Sequence, residues 1–202
     1  MEQLKKLNIL VIEDSGKHAS GIVASYQKAI ARIMDEKQLK ELLGFNEISV
    51  EWIKGKKPET KRNGEKFWFY DESIYEDIDK KIKENLKEGI RTGILLDVSL
   101  SKEEYDKASV NDYSGFKMAR EIYERFDEEA GIYIITAIRE FSSQVLSLMG
   151  TKELIERHIS KDLVTEYPSY GTMARTIRFM YDKTELKETE EDQFDCLLDE
   201  EI

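Results

Sequence analysis

The chain has 202 residues, 40% of them hydrophobic and 36% charged, a length that suits one domain with an insertion or tail and a core that stands without staples. The single cysteine, Cys196, excludes an internal disulfide framework and a four-cysteine zinc site, and two histidines argue against a multi-histidine metal centre. The formal charge is −11 with no basic stripe, so nucleic acid is not an expected partner; no apolar run nears the roughly 18 residues of a membrane span and no signal peptide precedes the first strand-like segment, so a cytoplasmic protein with no membrane partner is expected.

Leu7 to Ile12 is a nearly continuous apolar run that stops abruptly at Glu13-Asp14-Ser15-Gly16. A run of that kind suits a strand buried on both faces, as a parallel sheet requires. Ile22, Tyr26, Ile30 and Ile33 keep a helical period, Leu39, Leu42 and Leu43 extend it, and Gly44 is a natural stop. Ile48 to Ile53 alternates and is β-branched, so it reads as a strand. The polar stretch 54–66, with Gly55, Pro58 and Asn63-Gly64, reads as turns. Phe67 to Tyr70 reads as an added strand making a hairpin across that loop. Trp52, Trp68 and this aromatic run serve packing, or else a partner surface.

Ile74, Ile78, Ile82 and Leu86 then mark an amphipathic helix that ends near Gly89. Gly93 to Val98 is the second strongly buried strand, followed by the polar stretch 99–114 and a helix through Phe116, Ala119, Ile122 and Phe126. Ile132 to Thr136 is the third such strand. Phe141, Val145 and Leu148 mark another helix, His158 to Ser160 a short strand, and Pro168-Ser169 opens a last helix through Met180. Residues 182–202 hold ten acids against Lys183 and Lys187, a charge of −8 that leaves −3 for everything before them. This acidic tail is either a solvated, frayed end or an amphipathic helix, with Phe194, Leu197, Leu198 and Ile202 on one face to dock on its own domain or on a partner's groove.

Strands alternating with helices predict an α/β domain over residues 1–181, a doubly wound parallel sheet with an inserted loop or hairpin at about 44–72. Chemistry in such sheets sits beyond the carboxyl ends of the strands. Glu13 and Asp14 stand at the end of the first strand, Asp97 at the end of the third, Thr136 at the end of the fourth, and Lys161 follows the fifth. Clustered carboxylates raise one another's pKa unless a cation sits among them. Mg²⁺ takes a few carboxylate oxygens together with waters and phosphate oxygens. One carboxylate can accept a phosphoryl group as a nucleophile, and a lysine offers a compact charge to a phosphate oxygen. This set of residue types suits phosphoryl chemistry.

Ile9 to Asp14, Ile94 to Asp97, Ile134 to Ala137 and Ser160-Lys161 together resemble the receiver domains of two-component response regulators. The resemblance implies a five-stranded flavodoxin-like sheet of order 2-1-3-4-5. It implies that Glu13, Asp14 and Asp97 bind Mg²⁺ and that Asp97 is the phosphorylated residue. Thr136 would be the switch hydroxyl, with small Ala137 beside it leaving room for the phosphate, and Lys161 the phosphate-contacting lysine. His158 stands where receivers place a Tyr or Phe that swings inward on activation. Ser99-Leu100 replace the usual Met-Pro after the phosphorylated aspartate, and Asp162 replaces the proline after the lysine. The spacing from Asp14 to Asp97 is longer than a receiver needs, mostly through the insertion.

Each residue also has a plainer reading. Asp97 can cap its loop, Glu13-Asp14 can favour the positive end of the next helix, Thr136 can be an ordinary strand residue, Lys161 a solvated lysine and His158 a partly buried one. Cys196 lies among acids with no base nearby, so no catalytic thiol is expected. No Gly-x-Gly-x-x-Gly follows the first strand and no P-loop is present. Ser99 stands where haloacid-type phosphatases carry a second aspartate. The expectation is a phosphoacceptor signalling domain rather than an enzyme, fed by a histidine kinase or phosphotransfer protein and acting on an output protein by contact. A phosphorylation-independent pseudo-receiver scaffold is the alternative, and a Mg²⁺-dependent phosphoryl-transfer enzyme the second.

Overall fold

The computed structural model describes residues 5–60, 64–98, 100, 114–126, 130–136, 158–166 and 168–182. The element order is β1 (Lys5–Ile12), α1 (Gly16–Asp35), α2 (Lys37–Leu43), β2 (Phe45–Trp52), β3 (Lys57–Thr60), β4 (Lys66–Phe69), α3 (Ser73–Lys87), β5 (Arg91–Asp97), α4 (Ser114–Phe126), β6 (Ala130–Thr136), β7 (His158–Ser160), α5 (Asp162–Thr165) and α6 (Tyr170–Asp182). Five strands form one parallel sheet in the order β2-β1-β5-β6-β7. β3 and β4 form a separate antiparallel pair. The expected helix around Phe141 to Leu148, Ala137, Cys196 and the acidic tail beyond Asp182 lie outside the described residues.

Alternation along the strands explains the layering. Side chains of a strand point to opposite faces in turn. Leu7, Ile9 and Val11 of β1, with Leu95 of β5, pack on one face against Ile22, Tyr26 and Ile33 of α1 and Met173, Ile177 and Met180 of α6. Ile12, Ile94 and Leu96 point to the other face, against Ile74, Ile78 and Ile82 of α3 and Met118, Ala119 and Ile122 of α4. Helices therefore cover both faces, and the central strands are apolar throughout because neither face meets water.

Two details differ from the sequence reading. The first helical stretch is two helices, not one. Glu36 is extended between α1 and α2, while its N–H still donates to the Arg32 carbonyl at 3.0 Å. The apolar stripe of α1 lapses there, since the positions after Ile33 on that face are Glu36 and Lys37, and it resumes in a new phase at Leu39. Gly44 does end α2, in the left-handed conformation at φ 67°. The hairpin also differs: β4 pairs not with β2 but with β3, from within the stretch read as turns, in the register Lys57↔Phe69 to Thr60↔Lys66.

The last helix lies directly on the sheet. A Cβ at Gly131 would overlap the backbone of Met180, which cannot give way as a side-chain tip can. Gly131→Ala is expected to cost about 1–3 kcal/mol, the usual range for overpacking a filled core. Urea denaturation followed by circular dichroism measures it, and an unchanged midpoint would mean that α6 does not sit this close to β6.

Candidate functional site

The register of the parallel sheet sets the site. Ile12 pairs with Leu96, which brings the next residue of each strand, Glu13 and Asp97, to the same level at the carboxyl edge. Thr136 pairs with Ser160, which delivers Lys161 to that edge as the chain leaves β7. Asp14 follows Glu13 in the short link to α1. Ser15 caps α1, its Oγ accepting from the His18 N–H at 3.3 Å.

Four charged side chains meet here, all withdrawn from solvent: Glu13 is 0% exposed, Asp14 5%, Asp97 2% and Lys161 5%. The Lys161 ammonium bridges two carboxylates, with Nζ 2.7 Å from Glu13 Oε2 and 2.7 Å from Asp97 Oδ2. Glu13 Oε1 accepts from the Ser15 N–H at 3.1 Å and lies 3.7 Å from His18 Nδ1. Carboxylate oxygens of Glu13, Asp14 and Asp97 lie within 4.8 Å of one another.

Three acids against one ammonium leave the cluster short of positive charge, and the titration behaviour follows. Burial pushes the Glu13 carboxyl up, but the contacts of His18 and Lys161 and the Ser15 N–H outweigh it and hold Glu13 below the usual carboxylate range. Burial, with the Glu13 charge behind it, pushes Asp14 up to about 7. Burial and the Glu13 charge hold Asp97 well above its usual value, against the pull of Lys161. Burial works against the charged form of Lys161, yet Asp97 and Glu13 raise its pKa, so it stays protonated.

The arrangement has the chemistry of a divalent cation site. Hard oxygen donors converge at one point, and added positive charge there would favour the ionised form of Asp14. Glu13, Asp14 and Asp97 are the residues that fit Mg²⁺ in this way. Thr136 closes β6 at the same edge, and His158 opens β7 opposite Ile134, three residues before Lys161.

Sequence reasoning passed over His18, and it read Trp52 and the aromatic run that holds Tyr70 as packing or a partner surface. Tyr70 Oη lies 3.2 Å from the Glu13 nitrogen and 2.6 Å from the Ile53 carbonyl, and Trp52 Nε1 donates to the Glu13 carbonyl at 3.0 Å. A capping-box position after Ser15 was the one local signal for His18. No local signal exists for the aromatic pair, whose contacts with Glu13 span 57 and 39 residues.

No family model matches the chain, and no curated protein does. Among solved structures it is similar to the RcsB response regulator of Salmonella typhimurium, described for conformational dynamism in DNA interaction. The two share 13% identity with a TM-score of 0.40, over 94% of this chain and 75% of that one. Among the described residues, no helix is long and apolar enough to cross a membrane.

Proposed function

We propose that this chain is a phosphoacceptor receiver, taking a phosphoryl group on Asp97 and signalling through protein–protein contacts. The observation that carries the reading is the meeting of Glu13, Asp14, Asp97 and Lys161 at the carboxyl edge of a parallel sheet ordered β2-β1-β5-β6-β7. A carboxylate oxygen of Asp97 attacks phosphorus, the bond from phosphorus to the donor breaks, and the donor leaves with its electron pair. Mg²⁺, held by Glu13, Asp14 and Asp97, supplies charge neutralisation for the transferring group. Lys161 exchanges its contact with Asp97 Oδ2 for a phosphoryl oxygen. The receiver resemblance would make Thr136 the switch hydroxyl for another phosphoryl oxygen; Ala137, the small residue expected beside it, lies outside the described residues.

The added charge, about −1.5 to −2 by analogy with other phosphorylated side chains, biases a two-state repacking around β6 and β7, with His158 as the readout position. The donor is a histidine kinase or phosphotransfer protein, the output a partner protein, and the setting cytoplasmic.

A second reading rests on the burial of Asp97. Asp97 is 2% exposed and its carboxylate is already paired with Lys161. A phosphorylation-independent scaffold of the same fold would have this closed ion network as its resting and only state.

Acetyl phosphate with Mg²⁺ separates the readings. The phosphoacceptor is expected to gain one phosphoryl mass per chain by intact mass spectrometry, lost in Asp97→Asn and in EDTA. No Asp97-dependent gain would leave the scaffold reading standing. Steady release of many phosphates per chain would overturn both in favour of an enzyme.

A further inference from the structure

The insertion between β2 and α3, together with Trp52 at the end of β2, does more than lengthen the chain. Its residues reach over the β1–α1 link and take up nearly every backbone polar group of the acidic pair. The Glu13 N–H donates to Tyr70 Oη at 3.2 Å, and the Glu13 carbonyl accepts from Trp52 Nε1 at 3.0 Å. Tyr70 Oη also reaches the Ile53 carbonyl at 2.6 Å and the Glu13 carbonyl at 3.1 Å; its single proton favours the shorter contact, which leaves the hydroxyl oxygen to accept from the Glu13 N–H. The Asp14 carbonyl accepts from the Trp68 N–H at 2.7 Å. Ser15 forms an isolated antiparallel bridge with Phe67, and its Oγ donates to Glu65 Oε1 at 3.2 Å. The clamp is itself braced, since the Trp52 and Trp68 rings meet edge to face at 5.8 Å and Lys54 Nζ lies 5.0 and 5.6 Å from their centroids.

We propose that the insertion, with Trp52 at the end of β2, is the positioning element of the acidic pair: Tyr70, Trp52 and β4 hold the Glu13–Asp14 backbone so that both carboxylates are preset for a divalent cation. This rests on the cation reading given above. The physical reason is preorganisation. Two like charges on adjacent residues repel, and an untethered link would swing them apart; each tether removes that freedom before the cation arrives rather than at its expense. Groups that orient ligands from behind in this way are commonly worth 10- to 100-fold in metal affinity. The tethers from Tyr70, Trp52 and Trp68 engage backbone atoms and not carboxylate oxygens, so their effect is on ligand geometry.

Mn²⁺ binding to the full chain, read by electron paramagnetic resonance with Mg²⁺ competition, tests it. Tyr70→Phe deletes one hydroxyl and keeps the ring, and is expected to weaken Mn²⁺ about tenfold. Trp52→Phe removes the donor to the Glu13 carbonyl, is expected to act in the same direction, and stands in if Tyr70→Phe does not fold. Asn85→Ala is the control. It deletes a buried hydrogen bond to Thr92, 2.9 Å long and away from the site, so it loosens the fold but is expected to keep wild-type affinity. Wild-type affinity in Tyr70→Phe and Trp52→Phe would overturn the positioning role while leaving the cation reading intact. Equal weakening in Asn85→Ala would reduce the effect to general stability and overturn it too. No Mn²⁺ binding by the wild type would remove the cation reading itself, and this inference with it.

Discussion

Lys161→Met is expected to be the most damaging single change at the site, costing about 3–5 kcal/mol, the range found when one partner of a buried ion pair is removed. The ammonium lies 2.7 Å from both Glu13 and Asp97. Neither Glu13 Oε2 nor Asp97 Oδ2 has a well-angled hydrogen bond to replace it, so the variant would leave two carboxylates without water and without a cation. For a chain of this length each kcal/mol moves the melting temperature by roughly 2–4 °C, so a fall of about 10 °C is expected by circular dichroism in EDTA at about pH 8. Asp97→Asn should behave oppositely. Its carboxyl is already held well above the usual range by burial and by Glu13, so a neutral isostere relieves repulsion and should leave the melting temperature level or higher. If Lys161→Met melts with the wild type, the bridge is not formed in solution.

That asymmetry shows what the sequence carried and what it did not. The positions of Glu13, Asp14 and Asp97 were legible because they follow apolar runs of strand length, and runs of that kind are apolar throughout only when both faces are covered; Lys161 follows only the short His158-Ile159-Ser160, and the receiver resemblance singled it out. Their relation to one another was not. That Lys161 would lie between Glu13 and Asp97 depends on the register of three strand pairings, which no local pattern encodes. β3 was invisible for another reason. Lys57-Pro58-Glu59-Thr60 has no apolar residue to alternate and stands by its pairing with β4 alone. The break at Glu36 was readable in principle, as a lapse of the apolar stripe, but the leucines beyond it hide the change of phase. Tyr70 looked like one more aromatic in a packing run, and its role at Glu13 depends on contacts across 57 residues.

The same cluster is expected to make stability depend on pH and on Mg²⁺ together. Burial and the Glu13 charge raise the Asp14 carboxyl from 3.8 to about 7. Between those values the folded protein holds a proton that the unfolded chain has lost, so rising pH removes stability across that window and then levels off. The full difference corresponds to at most about 4 kcal/mol. Asp97, raised by burial and by Glu13, acts in the same direction. Glu13 is held low, so its contribution is present above about 4.5 and lost as the pH falls below it. Lys161 is held high, so its contribution is complete below 10.5 and lost only above. Neither reverses the trend between about pH 5 and 8. Without divalent ions the melting temperature should therefore fall as the pH rises through that range. Mg²⁺ binds the ionised carboxylates and stabilises the folded state by mass action, so its effect should be small near pH 5, where a proton occupies the site, and largest near pH 8. Calorimetry at about pH 5.5, 6.5 and 8, in EDTA and in Mg²⁺, measures both slopes. An equal Mg²⁺ increment at all three values, or a metal-free melting temperature that climbs with pH, would mean that these carboxylates do not share one buried field.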